Sequence, residues 1–267
     1  MKHFCFLIIV AMATSCSISP RISISGVPAS EKTVDSRLMA TAYHQKAAEY
    51  RALCLQAYNI AGMRLRENFA EASLKPRAII TDVDETVLDN SPYQAHQFFL
   101  NKNYDSESWR QWMAMAQADT VPGAFSFLRN AASKGVTIFY VTNRKENEEE
   151  ATLVNLKKFG FPDADEGHLL LRANSSSKEG RRKTILEKYN VILYLGDNLA
   201  DFDSLFDMST DHSRASQVNV LSSKFGNQFI LLPNVMYGDW ESGLYSPAAN
   251  LPTSNKHSLL RKIIKTY

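Results

Sequence analysis

The 267-residue chain predicts an α/β fold: a parallel sheet with helices on both faces, plus a mainly helical accessory region. Short apolar runs at residues 78–81, 136–141, 169–171, 191–195 and 228–232 have the length and composition of buried strands. Segments 122–133, 146–159 and 180–188 lie between them and read as helices. Strands that alternate with helices in this way make a parallel sheet covered on both faces. The length suits one substantial domain with a modest extra layer. Apolar content of 45% and charged content of 22% are those of a globular protein. A net charge of +2, with no cluster of Lys and Arg, argues against a nucleic acid polymer as partner.

Taken in order, the chain opens with Lys2 and His3, an apolar run over residues 4–13, and Ala13-Thr14-Ser15-Cys16. A positive start, a run of roughly ten apolar residues and small residues form a secretory signal, expected over residues 1–15. The run is too short for a membrane span, which takes about 20 residues. Ala13-Thr14-Ser15-Cys16 resembles the lipobox of bacterial lipoproteins, although Ala13 stands where Leu is usual. That resemblance implies lipidation of Cys16 and a lipid anchor in the cell envelope. Ser17 behind it implies the outer membrane. A plainly cleaved signal and a periplasmic product are the alternative. Cys5 lies in the signal, so Cys54 stands alone between Leu53 and Leu55 and is expected to be a buried thiol without a disulfide.

Residues 16–33, rich in Ser, Pro and Gly, read as a flexible tether. Residues 34–75 form an N-terminal helical region, since apolar residues recur near the helical period from Leu38 to Leu65. Gly62 is expected to mark a bend or a helix end. Residues 76–267 hold the main domain, interrupted at 89–121 by an insertion with Tyr93, Phe98, Phe99, Tyr104, Trp109 and Trp112. Most of these rings are expected in a secondary core, with one or two facing a ligand.

In open α/β sheets ligands bind at the carboxyl ends of the strands. Four polar clusters stand there: Asp82-Val83-Asp84-Glu85-Thr86, Thr142-Asn143-Arg144, Ser175-Ser176-Ser177-Lys178, and Gly196-Asp197-Asn198 through Asp203. Each is ordinary alone; the ordered set points to phosphomonoester hydrolysis. A phosphomonoester dianion repels a carboxylate nucleophile, and Mg²⁺ or another divalent cation offsets that repulsion. Asp82 and Asp197 supply hard oxygen ligands for such an ion. Thr142 offers a hydroxyl, and Lys178 a charge, to the phosphate oxygens. Asp84 can protonate the leaving oxygen and later take the proton of the attacking water. It must be protonated first, which favours activity below neutral pH.

This set resembles the haloacid-dehalogenase-like superfamily and, within it, the class C acid phosphatases, which are bacterial lipoprotein phosphatases and 5′-nucleotidases with four aspartates. Also matching are Tyr58-Asn59-Ile60-Ala61, Ser108-Trp109 with Trp112, Pro122-Gly123-Ala124, and Asn234-Val235-Met236-Tyr237-Gly238-Asp239-Trp240-Glu241. The resemblance covers about residues 35 to 245 and implies a Rossmann-like sheet of that type. It implies Asp82 as nucleophile and metal ligand, and Asp84 as acid/base with its carbonyl on the metal. Thr142 and Lys178 would hold phosphate, and Asp197 would bind the metal directly. Asp201 would orient metal-bound water or Lys178. Ala200 departs from the pattern, where an acidic residue is often found. Related proteins are often dimers, so a homodimer is a further expectation.

The aromatic insertion and the 234–241 stretch favour a flat substrate such as a 5′-nucleotide or aromatic phosphate, with Asn143, Trp109 and Tyr237 as substrate-binding residues. Sugar phosphates on the same fold are the alternative. So is a noncatalytic surface lipoprotein, although such a binder would be expected to have lost at least one of these side chains.

Overall fold

The computed structural model describes residues 35–207, 210–245 and 253–267. The signal, the tether and Cys16 lie outside them.

Asp35 caps α1 (Ser36–Lys46), accepting from the Arg37 N–H at 2.8 Å. Ala47 turns extended and separates α1 from α2 (Ala48–Asn68). The expected helical region is therefore two helices, divided at Ala47. Gly62, expected to bend or end it, sits inside α2. α2 buries Tyr50, Cys54, Ala57, Tyr58, Ala61 and Leu65, one face at helical spacing. The Cys54 thiol is fully buried, as expected, and burial pushes its pKa up to about 11.

β1 (Arg77–Thr81) starts the sheet, and β2 (Leu88–Asp89) leaves it at once. The insertion follows: α3 (Ser91–Phe99), then α4 (Ser106–Met115) capped by Asp105, then β3 (Asp119–Thr120), which pairs antiparallel with β2. α5 (Ala124–Ala132) begins at Gly123, whose φ is +92°. A Cβ there would also crowd the Tyr58 ring edge at 3.1 Å, so the position needs glycine twice over. β4 (Thr137–Lys145), α6 (Glu149–Phe159), β5 (Leu169–Arg172), α7 (Glu179–Lys188), β6 (Asn190–Gly196), α8 (Asp211–Val220), β7 (Phe229–Leu231), α9 (Asp239–Tyr245) and α10 (Thr253–Ile263) complete the chain.

The five strands run parallel in the order β5-β4-β1-β6-β7. Side chains alternate across the sheet, so each strand feeds two cores. Ile79, Ile138, Tyr140, Leu193 and Leu195 pack toward α2, α5 and α6. Ala78, Ile80, Phe139, Val141 and Tyr194 pack with Ile185 of α7 on the other face. The register slips by one residue in β6 beside Ala78 and Ile79, which places Val191 and Tyr194 in the same core. β1 and β6 are thus held centrally, and their carboxyl ends are rigid mounts. Among the described residues no helix is long and apolar enough to cross a membrane.

Candidate active site

Asp82 follows β1 directly, and its N–H donates to the Leu195 carbonyl of β6 at 2.9 Å. The sheet ladder thereby continues one residue past the strand and brings Asp82 beside the end of β6. There Gly196 is followed by Asp197, and a short turn over Leu199–Asp201 folds the chain back. The Asn198 N–H donates to Asp201 Oδ2 at 3.0 Å, which aims the Asp201 carboxylate over Gly196. A Cβ at residue 196 would overlap the Asp201 side chain. Lys178, buried at the head of α7, reaches both Asp82 Oδ1 and Asp201 Oδ1, the latter at 2.6 Å.

Asp82, Asp197 and Asp201 each present a carboxylate oxygen, all within 4.8 Å of one another. Lys178 offsets part of this charge. Among the described residues Asp197 accepts only from neutral donors, Asn234 Nδ2 at 2.8 Å and Thr86 Oγ1 at 3.4 Å. Burial pushes Asp197 well above the carboxylate range, reinforced by the charges of Asp201 and Asp82. Burial also raises Asp82, against the pull of Lys178. Burial works against the Lys178 charge, yet Asp201 and Asp82 together raise its pKa. A dense, oxygen-only, undercompensated set of this kind fits a hard divalent cation.

Asp84, two residues beyond Asp82, turns to a different partner. Arg144 at the end of β4 grips it with Nη2 at 2.7 Å and Nε at 3.1 and 3.2 Å. The Asp84 carboxylate is not among the three gathered ones. Glu85 adopts φ +56°, and its buried carboxyl accepts from the Asn90 N–H at 2.8 Å and from the Tyr237 hydroxyl. Burial, with Asp84 and Asp197 nearby, holds Glu85 well above its usual pKa.

One cavity of about 380 Å³ gathers nearly every residue expected from the sequence. Asp82, Asp84, Asn143, Lys178, Asp197 and Asp201 line it, together with Trp109, Tyr237 and Tyr104. Its volume suits a small ligand. Thr142 is fully buried and does not line the cavity; its Oγ1 accepts from the Arg144 N–H at 3.1 Å, which leaves its hydroxyl proton to donate. Asn143 Oδ1 accepts from Arg181 Nη2 at 2.8 Å.

The rings divide as physical pairing dictates. Tyr93 is buried edge-on to Trp109, with ring centroids 5.1 Å apart, and Trp109 in turn meets Tyr104 at 6.2 Å. Trp112 does not line the cavity; its indole donates to Asn90 Oδ1 at 2.8 Å. Phe99, expected in a core, is 75% exposed. The sequence stretches quoted above contain Arg144, Glu85 and Asn234 but assign them no role, and Asn90 lies just beyond the first of them. The available signal was position: each follows or faces a strand end where a charged or amide side chain must be buried.

A family model described as HAD superfamily, subfamily IIIB (acid phosphatase), matches residues 22–240. In structure the chain is similar to the class C acid phosphatase from Bacillus anthracis with tungstate bound. The two are 38% identical with a TM-score of 0.83, covering 86% of this chain and 97% of that one. In sequence it is similar to acid phosphatase 1 of Solanum lycopersicum, 25% identical over 166 residues, which cover 59% of this chain and 57% of that one. It is also similar to vegetative storage protein 2 of Arabidopsis thaliana, 26% identical over 190 residues, covering 67% and 68%. The chain therefore spans less than two thirds of the tomato protein.

Proposed function

The chain belongs to the acid phosphatases of HAD superfamily subfamily IIIB, and from that premise we propose that it hydrolyses phosphomonoesters through a phosphoaspartate on Asp82, assisted by a divalent cation. The observation that carries this reading is the convergence of Asp82, Asp197, Asp201 and Lys178 beneath the cavity that Asp84 also enters. The tungstate in the similar Bacillus anthracis structure, an oxyanion like phosphate, supports it.

Asp82, Asp197 and the Asp84 carbonyl would hold the cation, with Mg²⁺ favoured by the all-oxygen donors. When bound, that ion supplies charge that offsets the repulsion between two anions. Asp82 attacks phosphorus through the carboxylate oxygen that Lys178 does not hold. Lys178 and Asn143, which line the cavity, bind the phosphoryl oxygens, and Asp201 fixes Lys178 by the 2.6 Å pair. Asp84 protonates the departing oxygen and then takes a proton from the water that releases phosphate.

For the substrate we propose 5′-nucleotides and aromatic phosphates, on the ground that Tyr104, Trp109 and Tyr237 line the same cavity. Attachment to the cell envelope through Cys16 rests on the N-terminal sequence alone. The test of the activity is phosphate release from nucleoside monophosphates, 4-nitrophenyl phosphate and glucose 6-phosphate at mildly acidic pH, with Mg²⁺ and with a chelator. Release that requires the cation supports the proposal; no release from any of the three with Mg²⁺ present overturns it.

A further inference from the structure

The two oxygens of the Asp84 carboxylate meet very different numbers of donors. Oδ1 receives Arg144 Nη2 at 2.7 Å, Asn90 Nδ2 at 2.7 Å and Arg144 Nε at 3.1 Å. Oδ2 receives only a shared contact from that Nε, at 3.2 Å. A carboxylate oxygen has about two lone-pair sites, so Oδ1 is saturated with donors.

We infer that Arg144 and Asn90 are positioning residues that decide which oxygen of Asp84 handles the proton: Oδ1 is held as a pure acceptor, and Oδ2 gives and takes the proton. The inference rests on the phosphatase reading above and adds the residues that aim its acid. The step balances. As the Asp82 oxygen bonds to phosphorus, the bond from phosphorus to the ester oxygen breaks. That oxygen keeps the electron pair and takes the proton from Asp84 Oδ2.

Both arms of the clamp are themselves fixed. The Arg144 side chain is fully buried, and its Nη1 donates to Thr152 Oγ1 at 3.1 Å, which donates onward to the Glu148 carbonyl at 2.7 Å. The guanidinium therefore cannot swing away with Asp84. Asn90 is also fully buried, and its amide orientation is set from the insertion. The Trp112 indole can only donate, so the Asn90 atom it meets at 2.8 Å must be the carbonyl oxygen. That leaves the Asn90 NH₂ facing Asp84. Through this chain α4 sets the direction of a side chain on the loop after β1.

A general acid matters most when the leaving group is a poor one. An alkyl phosphate expels a basic alkoxide and needs the proton; 4-nitrophenolate departs with little help. The ratio kcat/KM covers steps up to loss of the alcohol, so it isolates the acid role from the later base role. The experiment measures kcat/KM for ethyl phosphate and 4-nitrophenyl phosphate at saturating Mg²⁺. It uses the wild type, Asp84→Asn, Arg144→Lys, Asn90→Ala and Trp112→Phe, with circular dichroism and melting curves for each.

Arg144→Lys keeps the charge but loses the fork. It should cost on the order of 100-fold on the ethyl ester and only a few-fold on the aryl ester. Asn90→Ala should follow in the same direction, on the order of tenfold, and Trp112→Phe, which frees the Asn90 amide to flip, somewhat less. Equal losses on both esters in these three variants, with Asp84→Asn still selective against the ethyl ester, would overturn the clamp and leave the acid role standing. Equal losses in Asp84→Asn itself would overturn both. Should Arg144→Lys fail to fold, Trp112→Phe decides, because its ring is only half-buried and phenylalanine retains most of the packing: a selective loss supports the clamp, an unselective one ends it.

Discussion

Two sets of residues that line the cavity, the charged cluster (called the floor) and the aromatic rings (called the wall), are built by different means. On the floor, Asp82, Lys178 and Asp201 are buried and joined to one another across three separate segments. Each hangs from a central strand end or a helix start, and the backbone ladder continues into Asp82. On the wall, Tyr104 is 62% exposed, and Trp109 is located by ring contacts to Tyr93 and Tyr104 rather than by a strand end. Only Tyr237 is tied in, by its hydroxyl to Glu85. The floor is thus over-determined and the wall adjustable. A change in the floor should abolish chemistry, whereas a change in the wall should alter which ester is preferred.

The largest effect belongs to Asp82. Asp82→Asn should lower kcat by at least about 10³-fold while leaving the fold and melting temperature nearly intact, because the amide is a poor nucleophile of equal size. Next is Asp197→Asn, which removes a carboxylate whose two oxygens accept from Thr86 and Asn234. It should raise the Mg²⁺ concentration needed for half-maximal rate on the order of tenfold or more, read from a rate-against-metal titration. Identical titrations for the two proteins would take Asp197 out of the ligand set.

The wall should answer more mildly. Trp109→Ala should reduce kcat/KM for a nucleoside monophosphate roughly tenfold and for glucose 6-phosphate much less, since a stacked base contributes about 1–3 kcal/mol. Equal losses on both would make Trp109 a packing residue and erase the contrast between floor and wall.

The floor also carries a pH signature when stripped of metal. Burial raises Asp82, Asp197 and Glu85 above their unfolded values. The folded chain therefore binds more protons than the unfolded one once pH exceeds about 4, and folding stability falls as pH rises toward the folded values. With a chelator, the melting temperature should be lower at pH 8 than at pH 5, and added Mg²⁺ should stabilise more at pH 8. The reverse order would mean that the carboxylates are already neutralised without a cation.

The strands and the residues at their ends were legible in the sequence because buried parallel strands are short apolar runs and the chemistry sits immediately after them. The break at Ala47 was not, because nothing in its side chain forbids a helix; its extended backbone lies in tertiary context. α8, α9 and the β2–β3 pair carry weak apolar periodicity or only two residues per strand, and give no signal. Trp112 is as aromatic in sequence as Trp109, and nothing there separates their roles. Three residues apart on α4, the two rings share a helix face broadly, yet Asn90 takes one and the cavity the other. Arg144 was visible as a residue but not as a partner of Asp84, since an ion pair sixty positions apart is a product of the β1–β4 pairing.

In the proposed mechanism Asp82 itself carries the phosphoryl group. This is tested most directly by rapid acid quench of enzyme turning over a phosphomonoester, followed by mass spectrometry of the peptide that contains Asp82. The expected result is a phosphoryl adduct on Asp82 during turnover, absent from Asp82→Asn and lost when the substrate is exhausted. Sustained turnover by Asp82→Asn, with no adduct on the wild-type peptide at any quench time, would contradict it.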